Sequence, residues 1–154
     1  MIAVLALARP DSWDFPLFLH VLGAAIMVGG LLAAASALAF AKGDARLLRL
    51  GYWTLLAVSL PGYVLMRIGA EWLYSRGPWD DLPDELVPRW LEIGYIVADA
   101  GALVMVIALV AGGIGVYRLR EGKGAGLLKV TMVLSILLLA AYIVAAWAMA
   151  GKPD

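Results

Sequence analysis

Four stretches of mainly apolar residues, each long enough to cross a bilayer, alternate with short polar connections along this chain. Hydrocarbon about 30 Å thick needs roughly 20 apolar residues in a helix. The stretches run over about 15–41, 50–75, 91–117 and 127–150. Lys42, Gly43 and Asp44 form the first connection, with a helix-ending glycine and an N-capping aspartate. Arg120 to Gly124 forms the third. The middle one, from Ser75 to Trp90, holds Pro78, Pro83 and Pro88 and resists helix formation. The pattern predicts an all-α, polytopic membrane four-helix bundle occupying residues 1–154 as a single domain. Pro61-Gly62 falls inside the second stretch, where a missing backbone donor predicts a kink.

Composition agrees: 64% of the 154 residues are hydrophobic, 16% are charged and the mean hydropathy is +0.90, against about 25% charged in soluble domains. Met1 to Arg9 has no basic stretch before its short apolar run, unlike a cleaved signal peptide. The absence of Cys removes disulfides, thiolate metal sites and Cys nucleophiles. A formal net charge of zero gives no reason to expect a nucleic acid.

Lys and Arg accumulate in cytoplasmic loops. Lys42, Arg46 and Arg49 lie in or beside the first connection, and Arg118, Arg120, Lys123 and Lys129 surround the third. Arg9, Arg76, Arg89 and Lys152 are on the other side with Asp11, Asp14, Asp80, Asp81, Asp84, Glu85 and Asp154. The expected topology is an inner (plasma) membrane protein with the first and third connections inside and both termini outside. Trp13, Trp72, Trp90 and Trp147 then fall near the outer boundary and Trp53 near the inner one, as amphipathic indoles prefer. Gly23, Gly30, Ala34, Ala37 and Ala41 in the first span, and Gly101, Ala108, Gly112 and Gly115 in the third, predict close helix contacts. Ser36, Ser59, Ser135, Thr54 and Thr131 are expected to donate between helices. Both hairpins run out, in, out, with no strong sequence repeat between them.

Ionisable groups within the spans are costly and are expected to face the bundle interior and find partners. They are His20, Arg67, Glu71 and Asp99, with Glu92 at the rim. At about 1.5 Å per residue, His20 and Glu71 lie roughly 6–8 Å below the outer boundary and Arg67 and Asp99 roughly 12 Å. Matching depths predict two pairs, Arg67 with Asp99 and His20 with Glu71. Tyr63, Arg67, Glu71 and Tyr74 share one helix face, Glu92, Tyr95, Asp99 and Val106 another, and Tyr142 reaches a similar level. One arginine against two carboxylates leaves excess negative charge for a protonated His20 or a bound cation to cancel. The ligand- or proton-binding candidates are therefore His20, Arg67, Glu71, Asp99, Tyr95 and Tyr142. His20, Glu71 and Asp99 are the candidate ligands for a divalent metal.

The opening helix reads Leu19-His20-Val21-Leu22-Gly23-Ala24-Ala25-Ile26-Met27-Val28-Gly29-Gly30. This segment resembles short four-helix bacterial integral membrane proteins of unknown function and, more distantly, the copper-resistance protein D superfamily, which includes the haem-pathway protoporphyrinogen oxidase. That resemblance implies a haem or metal ligand at His20. The chain has a single His, so a second axial ligand would be Met, water or another subunit's His20. The oxidase's further arginine and lysine pattern is not recognisable.

Three functional readings follow. One is a non-enzymatic helical bundle or accessory subunit, partnered by lipid and by a homo-oligomer or membrane subunit, with the charged cluster fixing helix register. Another is a haem-, metal- or proton-binding or transfer module centred on His20. The third is an oligomeric transporter drawing on the kinked second span. No nucleophile stands beside a base, and no phosphate loop or dinucleotide fingerprint is present, so the sequence leans away from an enzyme.

Overall fold

The computed structural model describes residues 11–77, 79, 83 and 86–151. Met1 to Arg9, Pro78, Asp80, Asp81, Asp84, Glu85, Lys152 and Asp154 lie outside them. Among the described residues the chain forms four long helices and no strand. A 3-10 turn, Asp11–Trp13, leads into α1, Asp14–Phe40. Helix α2 runs Ala45–Tyr74, α3 Arg89–Arg118 and α4 Ala125–Gly151.

The caps follow local chemistry. The Asp44 carboxylate accepts the Arg46 backbone N–H at 2.8 Å, satisfying a donor left over at the start of α2. Lys42 and Gly43, with φ of 43° and 92°, make the left-handed turn before it. Helix α2 therefore begins at Ala45, not near residue 50, because Arg46 and Arg49 belong to its first turns. Pro88 caps α3 in extended conformation. Between α3 and α4, Gly122 and Gly124 take φ of 69° and 100°.

All four helices are long and apolar enough to cross a membrane, and the protein is a multi-pass membrane protein. Phe18, Val21, Leu32, Leu103, Leu137 and Val144 point outward, as lipid-facing side chains do. Buried positions recur at alternating spacings of three and four: Gly23, Met27, Gly30 and Ala34 on α1; Leu55, Ser59, Gly62, Met66 and Gly69 on α2. On α3 they are Ala98, Gly101, Met105, Ala108 and Gly112, and on α4 Leu128, Thr131, Ser135, Leu138 and Tyr142. This is the repeat of a left-handed bundle. It uses small residues because lipid supplies no hydrophobic drive between helices. A Cβ on Gly62 would meet the Met27 backbone nitrogen at 2.6 Å, and one on Gly23 would meet the Gly62 carbonyl at 2.8 Å. The α1 and α2 backbones thus touch.

Helix α1 pairs with α2 and α3 with α4, while α1 also packs along α4. The α2–α3 seam is different. These helices meet near the start of α2, where the first and third connections lie, and part toward the end that holds the termini. A short stretch of α1 is matched in α3, where Gly23, Ala24, Met27, Val28, Leu31 and Ala33 recur at constant spacing as Gly101, Ala102, Met105, Val106, Leu109 and Ala111. Gly23 faces Met66 of α2, and Gly101 faces Tyr142 of α4.

Pro61 cannot donate to Ala57, and the chain answers with a π-helical turn over Leu55–Ser59. There the Leu60 N–H reaches back to the Leu55 carbonyl. Such turns absorb an irregularity that would otherwise break the helix. Of the hydroxyls expected to link helices, Thr131 does so, sharing its proton between Leu127 O at 3.0 Å and Ala108 O of α3 at 3.2 Å. Thr54 and Ser135 instead bond carbonyls of their own helices, the usual alternative for a hydroxyl one turn from an acceptor.

Candidate functional site

The parted end of the α2–α3 seam is spanned by side chains. Arg67 projects from α2 one turn before Glu71, so its Nε reaches Glu71 Oε1 at 3.0 Å. Its Nη2 crosses to Asp99 Oδ1 on α3 at 2.9 Å. The planar guanidinium has donors on several edges and can serve two carboxylates at once, which an ammonium does less well. The Tyr95 ring lies 5.0 Å from the same guanidinium, within cation–π range. Tyr74 packs edge-on against Tyr95 at 5.5 Å. Tyr63, one turn before Arg67, donates its hydroxyl to the Ala98 carbonyl at 3.3 Å, beside Asp99.

The expected Arg67–Asp99 pair is therefore formed, and Arg67–Glu71 joins it. The expected His20–Glu71 pair is not. The His20 ring donates Nδ1–H to the Met66 carbonyl at 3.0 Å; a carbonyl only accepts, so Nδ1 carries the hydrogen. Gly69 makes this possible, because a Cβ there would run into the His20 backbone nitrogen. Helix contact is so close at this level that the imidazole finds a backbone oxygen before it finds the carboxylate one turn on.

The charges also lie nearer the surface than expected. The Arg67 side chain is 28% exposed, but Glu71 and Asp99 are 51% and 65% exposed. Asp99 shares a helix face with Ile96 and Leu103, both exposed. The interior at this level is already filled by Met66, Met105 and Tyr142, so the carboxylates stay at the mouth of the seam and only the guanidinium enters it. Tyr142 is 4% exposed, and its hydroxyl sits against Gly101. The hydroxyls of Tyr142, Tyr95 and Ser59 are buried without a hydrogen-bond partner among the described residues.

A metal site on His20, Glu71 and Asp99 does not fit this geometry. Among the described residues no group of three or more His, Asp or Glu side chains comes close enough to hold an ion, and Arg67 occupies the two carboxylates. The contributions that sequence reasoning passed over are the Met66 carbonyl, which nothing in a side-chain pattern reveals, and the Tyr63 hydroxyl, which its place on the Arg67 face could have signalled. No protein-family model matches the chain, and neither a curated protein nor a solved structure shows significant similarity to it.

Proposed function

We propose that the protein is a non-enzymatic subunit of the inner (plasma) membrane, with both termini outside, in which the Arg67 cluster holds α2 against α3. The carrying observation is that Arg67 bridges Glu71 and Asp99 where the two helix backbones separate. One arginine closes a seam that packing leaves open, and the carboxylate charge in excess faces outward toward a membrane partner. Lys42, Arg46, Arg49, Arg118, Arg120, Lys123 and Lys129 gather at the connection end, which supports placing that end in the cytoplasm.

A second reading draws on His20. A histidine that ligates a metal usually gives its other ring N–H to a carbonyl or carboxylate, which fixes the tautomer. The Met66 carbonyl does this for Nδ1 and leaves Nε2 as the ring nitrogen that could ligate. If a haem or metal were bound, His20 would be the side chain of this chain to hold it. The chain offers no second His, so any further protein ligand would come from Met or from another copy.

Absorbance and elemental analysis of protein purified in mild detergent test the two together. The register-fixing bundle predicts a colourless, metal-free preparation, with His20→Gln costing about 1 kcal/mol, the worth of one neutral hydrogen bond. A stoichiometric chromophore that vanishes in His20→Gln would replace the first reading with the second.

A further inference from the structure

At the connection end, away from the Arg67 cluster, α2 and α3 line an open cavity of about 600 Å3. Arg49, Tyr52 and Trp53 line it from α2; Gly113, Tyr117 and the following Arg120 line it from α3. No carboxylate is among the lining residues, and neither Arg49 nor Arg120 has an ion pair among the described residues. Two guanidiniums from different helices thus share one opening without a counter-ion from the chain. Gly112 and Gly113 shape it: a Cβ on Gly112 would meet Tyr52 Cδ2 at 2.7 Å, and one on Gly113 would meet the Tyr52 hydroxyl at 3.1 Å. The glycine pair lets the Tyr52 ring lie across α3, where it stacks edge-on with Trp53 at 5.6 Å.

The level of this cavity is as telling as its charge. Arg49 is in the second turn of α2 and Arg120 follows the last turn of α3, so both stand where a bilayer changes from hydrocarbon to headgroup. Exposed Trp53 and Tyr117 mark the same boundary, and exposed Leu50 continues the apolar wall. A phosphate diester accepts forked hydrogen bonds from guanidinium, and basic pockets between membrane helices on the cytoplasmic side hold anionic headgroups. The volume is within the range of small-molecule sites.

We propose that this cavity binds the phosphate headgroup of an anionic phospholipid, held by Arg49 and Arg120 with its acyl chains along Trp53 and Leu50. The proposal is independent of the function assigned to the Arg67 cluster. Its test is a thermal-shift titration of the full chain in neutral detergent with phosphatidylglycerol, phosphatidylcholine and inorganic phosphate. Phosphatidylglycerol should raise the melting temperature with a saturable midpoint, and the other two should not. Each guanidinium would contact the phosphate directly through a charge-assisted hydrogen bond, worth about tenfold or more in affinity, so Arg49→Gln and Arg120→Gln should each weaken the midpoint about tenfold and the pair about 100-fold. Lys123→Gln removes a charge at the same end that does not line the cavity and acts only through screened solvent in neutral detergent, so it should stay within about twofold of wild type. Melting of each variant without lipid checks its fold, and the single variants carry the test if the double variant does not fold. Equal stabilisation by phosphatidylcholine, saturation by inorganic phosphate alone, a wild-type midpoint in the arginine variants, or an equal loss in Lys123→Gln would each overturn the site.

Discussion

Replacing Arg67 by Gln should cost more than replacing either carboxylate it holds. Two unit charges about 4 Å apart attract by about 4 kcal/mol at the effective dielectric of a protein surface. Glu71 and Asp99 are half or more exposed, so each contact is worth less than that, on the order of 1 kcal/mol. Removing Arg67 has a second effect: it leaves two carboxylates without a donor at hydrocarbon depth, where an uncompensated charge costs roughly 2.5–3.5 kcal/mol on insertion scales. Partial exposure reduces this, giving about 2–3 kcal/mol for Arg67→Gln against about 1 kcal/mol for Asp99→Asn, which leaves Arg67 still paired with Glu71. The triple variant Arg67→Gln, Glu71→Gln, Asp99→Asn strands no charge and should recover most of the loss, to within about 1 kcal/mol of wild type. Reversible unfolding in mixed micelles, titrated with denaturing detergent, measures all four proteins. Equal costs for Arg67→Gln and Asp99→Asn, or a triple variant as unstable as Arg67→Gln, would refute the idea that Arg67 is the hub of the seam.

The contact of α1 with α2 makes an internal comparison. Gly23→Ala would drive a methyl into the Met66 backbone and should cost about 1–3 kcal/mol by overpacking, whereas Gly29→Ala, with nothing within 4 Å of its Cβ, should be neutral or slightly stabilising in the same unfolding assay. Asp44→Ala removes the α2 N-cap and should lower stability by about 1 kcal/mol, detectable as faster hydrogen exchange in the first turn of α2. Thr131→Val keeps the side chain's shape but loses the link to Ala108 O; about 0.6 kcal/mol is expected, the average for such bonds in membrane bundles. A loss above about 2 kcal/mol would mean that Thr131 does more than join α3 to α4.

The four-helix outline was legible because hydrocarbon thickness turns hydropathy into length, and the stripes around Gly23 and Gly101 showed which faces would meet. The Arg67–Asp99 pair was legible for a related reason: at equal depth, opposite charges have few other partners. His20 was misread because depth alone says nothing of how close two backbones come. Gly69 brings α1 near enough for Met66 O to capture the imidazole, and that oxygen is invisible in a pattern of side chains. The position of the carboxylates at the seam's mouth was also hidden, because the space inside was claimed by Met66, Met105 and Tyr142, whose fit is a property of packing. Arg49 and Arg120 read as topology markers until the structure placed them across one cavity. The short match of Gly23–Met27 with Gly101–Met105 lay in the sequence, but the structure gives the two glycines different partners, the Met66 backbone for one and the Tyr142 side chain for the other.

Because each hairpin is zipped along its own length, while the connection from Ser75 to Pro88 carries no long helix among its described residues, the chain can be divided between its hairpins without cutting a helix. Fragments ending after Arg76 and starting near Pro88, produced separately in one cell, should insert independently and then find each other through the α1–α4 groove. Recovery of the full particle from the two pieces would make the hairpin, and not the single helix, the unit from which this membrane protein is assembled.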